Sequence, residues 1–302
     1  MNSDPYSSDG AADTAVRAVQ ARMQGHWNIA RRILAVATGY MLTSWITGWM
    51  LRRALDPGGL GLALLSGILV AAAVAPIAIR LQVSRLRQWI VWSACLFLNS
   101  LSIAIEGAFF VPTLSHVRSV PVMWIAFLLF QSLVTAGLIT WSFGGQAERM
   151  MQPAPQQRTW YSWAWWFVLS SISYLLFYFI FGAANYALVT RPYYAAYVSG
   201  LAVPAPKIVL IAEMVRAPLL VLSIVPLILL WRGKRSLLGM LCGIVLFVLG
   251  GVVPLLLNAD LPDVLRLASG VEIFFQNFLT GLVAVALLAP PPMDDAEKGI
   301  QV

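Results

Sequence analysis

Eight apolar runs, separated by short polar turns, each approach or exceed the roughly 20 residues that a helix needs to cross a bilayer. They lie at residues 33–51, 60–79, 88–110, 120–143, 160–183, 207–231, 236–257 and 264–289. Hydrocarbon offers the backbone no hydrogen-bond partners, so spanning segments of this length must satisfy their own N–H and C=O groups as helices. The residues between the runs break helices: Asp56, Pro57, Gly58 and Gly59 after the first, then Pro112, Pro153 with Pro155, Pro204 with Pro206, and Pro262 before the last. The expected fold is therefore all-α, a polytopic membrane helix bundle of about eight transmembrane helices. Composition agrees, because only 11% of the residues are charged and the mean hydropathy is +0.78, whereas a soluble domain carries about 25% charged residues.

The 302 residues leave no room for a separate soluble domain beside eight spans. We divide the chain into a polar cytoplasmic tail at 1–30, a transmembrane domain at 31–290 and a second cytoplasmic tail at 291–302. The first apolar run begins too late and continues too long for a signal peptide, and Asp4, Asp9 and Asp13 argue against a transit peptide. Residues 11–24 read as a frayed tail in preference to a surface helix, since their apolar side is mostly Ala and Val. Counting Lys and Arg on alternate sides of the spans gives thirteen against six, with Arg216 inside a span. The positive-inside rule then places both termini in the cytoplasm, although Arg52 and Arg53 lie on the other side.

The net charge of +7 sits mostly beside the ends of spans, where anionic headgroups and topology account for it. Membrane lipids are the expected partners and nucleic acid is not. Seventeen of the twenty basic residues are Arg, a bias of GC-rich genomes that points to a bacterial inner membrane. Cys95 and Cys242 both fall in apolar runs as small buried hydrophobes. Only two His are present, and there is no phosphate loop, nucleophile elbow or metal-ligand spacing, so no cofactor or metal is expected.

Ionisable groups inside the spans are the candidates for function, since a charge near the bilayer centre costs roughly 2.5–3.5 kcal/mol on insertion scales. In the last run Arg266, Ser269, Glu272, Gln276, Asn277 and Thr280 share an arc of about 140° on a helical wheel. In the third, Cys95, Asn99, Ser102 and Glu106 share about 60°. The fifth aligns Ser171, Tyr174, Tyr178, Gly182 and Asn185, and the sixth places Glu213 and Arg216 three residues apart beside Pro218 and Pro226. At about 1.5 Å per residue, Glu106, Glu213 and Glu272 lie roughly 6, 9 and 12 Å below the outer ends of their spans. The economical arrangement is one polar cavity open to the exterior, walled by the third, fifth, sixth and eighth spans and roofed by His116, Arg191, Tyr193, Tyr194, Asp260 and Asp263. Its candidate substrate-binding or proton-accepting residues are Glu272, Glu106, Glu213, Arg216, Gln276, Asn99, Tyr178 and Asn185. Structural alternatives stand beside these: Glu106 reaching the interface, Glu213 with Arg216 as an ion pair, Glu272 as a protonated lock, and Asn258, Asp260 and Asp263 as a capping turn in place of a cation site.

The leading functional expectation is a transporter or lipid-handling protein. The alternatives are an integral membrane enzyme acting on a lipid or prenyl substrate at the outer leaflet, with Glu106 and Glu272 as acid and base and Arg191 or Arg216 on a headgroup, and a structural or assembly subunit. Small residues at Gly59, Ala63, Gly67, Ala71 and Ala75 form a ridge for close helix packing, within the chain or in a homo-oligomer. Trp89, Trp92, Trp160, Trp163, Trp165 and Trp166 lie near the cytoplasmic ends of spans, where they anchor. Two four-span halves would run parallel to one another, but the third and seventh spans match in neither spacing nor neighbours, and the sequence by itself supports no repeat.

Overall fold

The computed structural model describes residues 8–50, 57–110, 121–144, 159–195, 205–258 and 261–290, and every secondary-structure element among them is helical. The chain forms α1 (Ser8–Met50), α2 (Pro57–Ala78), α3 (Arg85–Phe110), α4 (Pro121–Phe143), α5 (Trp160–Asn185), α6 (Arg191–Ala195), α7 (Pro206–Leu230), α8 (Arg235–Phe247), α9 (Val253–Leu257) and α10 (Asp263–Leu288). A π-helical turn, Tyr186–Thr190, joins α5 to α6, and a second, Val248–Val252, joins α8 to α9. Proline at the first position of α2, α4 and α7 fixes φ where no intrahelical N–H bond is lost.

Among the described residues seven helices are long and apolar enough to cross a membrane: α2, α3, α4, α5 continued through α6, α7, α8 continued through α9, and α10. The chain is a multi-pass membrane protein. The N-terminal helix α1 runs for 43 residues and packs along α2 and α4, but Thr, Ser, Gly and Trp lower the apolar character of its last half. Where the sequence favours a frayed tail, helix begins at Ser8, and Ala11, Ala12, Ala15, Ala18 and Ala21 are the strong helix formers that carry it.

A repeat that the sequence conceals is present in the packing. Within the first half α1 packs on α2 and α4, α2 on α4, and α3 on α4. In the second half α5 packs on α7 and α10, α7 on α10, and α8 on α10, the same four pairings in the same chain order. Residues 65–79 of α2 and 215–229 of α7 show one pattern of buried, half-buried and exposed positions through all fifteen residues, with Pro76 matching Pro226. Residues 81–84 and 231–234 share one backbone pattern with a bend at the third position, and α3 and α8, which follow them, both begin on an arginine, Arg85 and Arg235. On α4 and α10 the burial patterns of 132–141 and 277–286 are identical, and Phe130-Gln131-Ser132-Leu133-Val134-Thr135-Ala136 lies where Phe275-Gln276-Asn277-Phe278-Leu279-Thr280-Gly281 does. On α1 and α5, Tyr40, Leu42, Ile46 and Gly48 match Tyr174, Leu176, Ile180 and Gly182. By this correspondence α1 holds the place of the spanning helix α5.

The halves differ where packing has exchanged sizes. Trp89 of α3 lies over Gly137 of α4, where a Cβ would be 3.7 Å from its Nε1, and donates that N–H to the Leu133 carbonyl at 2.9 Å. The corresponding residues of the second half are Gly239 and Leu282, and there the leucine covers the glycine, with Cδ2 3.1 Å from the site of a Cβ. Large against small is kept while the helix supplying each is reversed. Gly281 of α10 brings the α8 backbone so close that an added Cβ would meet Gly243 N, Gly243 Cα and the Cys242 carbonyl carbon.

The two halves meet along α3 with α7 and, in the corresponding place, along α2 with α8, the second π turn and α9. The small-residue ridge of α2 is used inside the chain: Ala63 and Ala71 are buried, and Gly67 lies against Ala37 and Tyr40 of α1. The core between these elements includes Ile77, Leu81, Trp92, Ile139, Leu220, Ile224, Leu227 and Leu246. The outer surface carries exposed Trp45, Trp141, Leu188 and Leu267, an apolar exterior suited to lipid.

Candidate functional site

The two contacts between the halves correspond in position and differ in chemistry. Glu213 and Arg216 of α7 stand where α2 has Ala63 and Ser66. Opposite them, α3 carries Glu106 where the end of α9 carries leucine.

Arg216 binds these groups together. Its Nη1 donates to Glu213 Oε1 at 2.6 Å, its Nη2 lies 2.6 Å from Glu106 Oε2, and its Nε donates to the backbone carbonyl of Ser102 at 3.0 Å. The pair expected within α7 is formed, and the guanidinium also reaches across the boundary to α3. Tyr174 of α5 donates its hydroxyl to Glu213 Oε2 at 3.1 Å. Glu213 is fully buried and Arg216 nearly so, while the Glu106 side chain is 32% exposed. A charge withdrawn from water this far is tolerated only with a partner and hydrogen bonds, which the guanidinium, the tyrosine and the Ser102 carbonyl supply. The carboxylate of Glu106 is the edge of the cluster that opens outward.

Glu272 lies in a second group on α10 facing α5. Asn185 Nδ2 donates to Glu272 Oε2 at 2.5 Å, and Gly182, one helical turn earlier on α5, leaves room for the carboxylate, whose Oε1 would be 3.1 Å from a Cβ there. Phe181 and Phe275 stack beside this contact with ring centroids 5.5 Å apart. Among the described residues no basic side chain pairs with Glu272, and the matching position on α4 is Phe127. Tyr178 lies within electrostatic reach of Glu106, Glu213, Arg216 and Glu272, and Tyr194 of Glu106 and Glu272, so the two groups form one neighbourhood. Tyr178 stands 6.4 Å from Tyr174, ring to ring.

No family model, curated protein or solved structure matches the chain.

Asn99 and Gln276 lie deeper. Both are buried, Gln276 one turn inward of Glu272, in the place where Gln131 of the first half donates its Nε2 to Ser44 Oγ at 2.9 Å. Asn99 of α3 lies near the second π turn, where a Cβ on Gly250 would be 3.7 Å from its Oδ1 and 2.7 Å from Asn277 Nδ2. Asn277 donates to the Leu246 carbonyl at 2.9 Å. Of the residues expected in the outer loops, His116 and Asp260 lie outside the described residues. Asp263 pairs with Arg266 at 2.8 Å, and Arg266 also donates to the carbonyls of Asn258 and Leu261, so this arginine ties the start of α10 to the preceding turn. Among the described residues no three His, Cys, Asp or Glu side chains converge as a metal site would require.

Two participants carry little signal in the sequence. The Ser102 carbonyl is a backbone group, and Tyr174 is distinguishable from the other aromatics of α5 only by its place on the Ser171–Tyr178 stripe. The four α1 residues Tyr40, Leu42, Ile46 and Gly48 gain meaning only when set beside their α5 counterparts.

Proposed function

We propose that the protein is a transporter or lipid-handling protein of a bacterial inner membrane, with this acidic neighbourhood in the outer half of the bilayer as its substrate-binding and proton-accepting site. The observation that carries the reading is charge balance: among the described residues Glu106 and Glu213 share one cation, Arg216, and Glu272 beside them has an amide partner and no ion pair. Glu272 is left with an amide donor and aromatic neighbours, the surroundings that receive a proton or the cationic part of a zwitterionic group. The outer location follows from the distribution of Lys and Arg around the spans.

A repeated four-helix architecture with a polar site at the boundary between its halves is how many transporters place a substrate between two bodies that rock against one another. Pro218 and Pro226 in α7 remove backbone hydrogen bonds next to that boundary, which makes α7 the helix best able to bend. Candidate substrates are cationic or zwitterionic solutes and lipid headgroups. The test is movement of labelled choline-headgroup and ethanolamine-headgroup lipids, and of a panel of cationic solutes, in liposomes containing the purified protein. Wild type is expected to move at least one class, and Glu272→Gln, which keeps an oxygen acceptor for Asn185 while deleting the charge, is expected to lower that rate at least tenfold. Undiminished movement by Glu272→Gln contradicts the reading.

A further inference from the structure

The inner face of α3 carries more polar groups than the acidic neighbourhood uses. Gln88, Trp92, Cys95, Asn99, Ser102 and Glu106 follow one another at intervals of four, three, four, three and four residues, which holds them in one stripe along the helix. From Gln88 to Glu106 the stripe rises about 27 Å, close to the full thickness of a bilayer's hydrocarbon core. Gln88 Oε1, Trp92 Nε1, both side-chain polar atoms of Asn99 and Ser102 Oγ are buried, and none of them finds a partner among the described residues. A buried polar atom left unpaired loses the hydration it had in water and gains nothing, so several in a row along one face call for a shared partner.

From this stripe we infer that α3 bears a file of ordered water that conducts protons between the acidic neighbourhood and the opposite side of the membrane. The steps along the stripe rise about 4.5–6 Å, a distance that one or two water molecules bridge with hydrogen bonds of ordinary length. Donors and acceptors alternate suitably: Trp92 Nε1–H can only donate, Gln88 Oε1 only accept, and Asn99 and Ser102 do both. Gln88 is fixed at its end by Nε2 donating to the Ala78 carbonyl at 2.6 Å, leaving Oε1 for the file. At the other end Glu106 has its side chain partly exposed, and with Glu213 it outnumbers Arg216, giving the entrance a net negative charge that favours a hydrated proton. Cys95 is the least polar member, and Cys242 and Gly250 on the facing segment leave small side chains opposite the middle of the stripe.

Each transfer conserves charge and atoms. A proton enters at Glu106, each water in turn accepts one proton and releases another to its neighbour, and one proton leaves beside Gln88. No bond other than O–H is made or broken, and the electrochemical gradient drives the direction. The second half lacks the stripe, because the matching face of α8 and the turn after it has Leu238, Cys242, Val245 and Leu249 in these places.

This conduction needs no substrate and does not rest on the role assigned to Glu272. The full-length protein is reconstituted in liposomes loaded with a pH-sensitive dye, and a potassium diffusion potential is imposed without added solute. Proton entry at least tenfold above that of empty liposomes is expected, lost in Asn99→Leu and retained in Gly61→Ala, a change on α2 that meets no other described atom within 4 Å. Equal proton entry with and without protein, or an Asn99→Leu rate equal to that of wild type, overturns the inference. Radiolytic labelling of the wild-type protein in ¹⁸O water gives an independent reading that requires no variant to fold. Rapid incorporation of ¹⁸O at buried Trp92 is expected if water lies against it, and labelling of Trp92 no faster than of buried Tyr174 overturns the inference.

Discussion

Arg216 of α7 and Glu106 of α3 approach to 2.6 Å across the boundary between two four-helix halves that share one packing plan. At the corresponding positions of the other boundary between the halves the chain has alanine, serine and leucine. A chain that repeats its scaffold and departs from the repeat at a few ionisable positions marks those positions as the ones that the scaffold alone does not require.

Arg216→Met removes the cation paired with Glu213, which is fully buried. Stranding a buried charge costs about 3–5 kcal/mol, so a fall of several degrees in the unfolding temperature of the purified protein is expected. The double change Glu213→Met and Arg216→Met leaves only Glu106, which reaches the surface, and more than half of that loss is expected to be recovered. Thermal unfolding of the three proteins in one detergent decides it, and a double variant no more stable than Arg216→Met contradicts the pairing.

The exchange of size between Trp89 with Gly137 and Gly239 with Leu282 can be imposed on the first half. Trp89→Gly opens a cavity worth about 3 kcal/mol or more, and Gly137→Leu drives a side chain toward the indole at a cost of about 1–3 kcal/mol. Combined, they recreate the arrangement of the second half. The double variant is expected to be more stable than the sum of the single effects by at least about 1 kcal/mol, as read from unfolding curves. Simple additivity contradicts the correspondence of the two halves.

Two glycines separate close packing from empty space. Gly281→Ala places a methyl group against the backbone of Gly243 and is expected to cost about 2 kcal/mol or more. Gly61→Ala meets nothing within 4 Å and is expected to leave stability unchanged or raise it by up to about 1 kcal/mol. Parallel melts of the two variants test both statements at once.

Much of the fold was legible because apolar length is a coarse signal that short turns punctuate strongly. The expected spans from the second onward agree with the helices to within a few residues, and Pro57, Pro206 and Pro262 stand where the helices begin. The i, i+3 spacing of Glu213 and Arg216 is a local relation, readable on one helix. The link from Arg216 to Glu106 spans 110 residues and requires knowing which helices touch, and the link from Asn185 to Glu272 spans 87. The repeat was hidden for a different reason. Its register is 150 residues between Pro76 and Pro226, 145 between Gln131 and Gln276, and 134 between Tyr40 and Tyr174, because the intervening loops differ in length. The π turn at Val248–Val252 also shifts α9 relative to α3, so comparing the ends of those two spans directly finds no match. What the halves share is burial, and burial is invisible until the helices are packed.

The most direct test of the central claim is a high-resolution density map of the protein in native lipid, inspected between Glu106, Glu213 and Glu272. A bound polar group or ordered water touching Glu272 and Glu106 beside Tyr178 is expected. A space filled only by protein side chains or by an acyl chain, with Glu272 joined to nothing except Asn185, would contradict it.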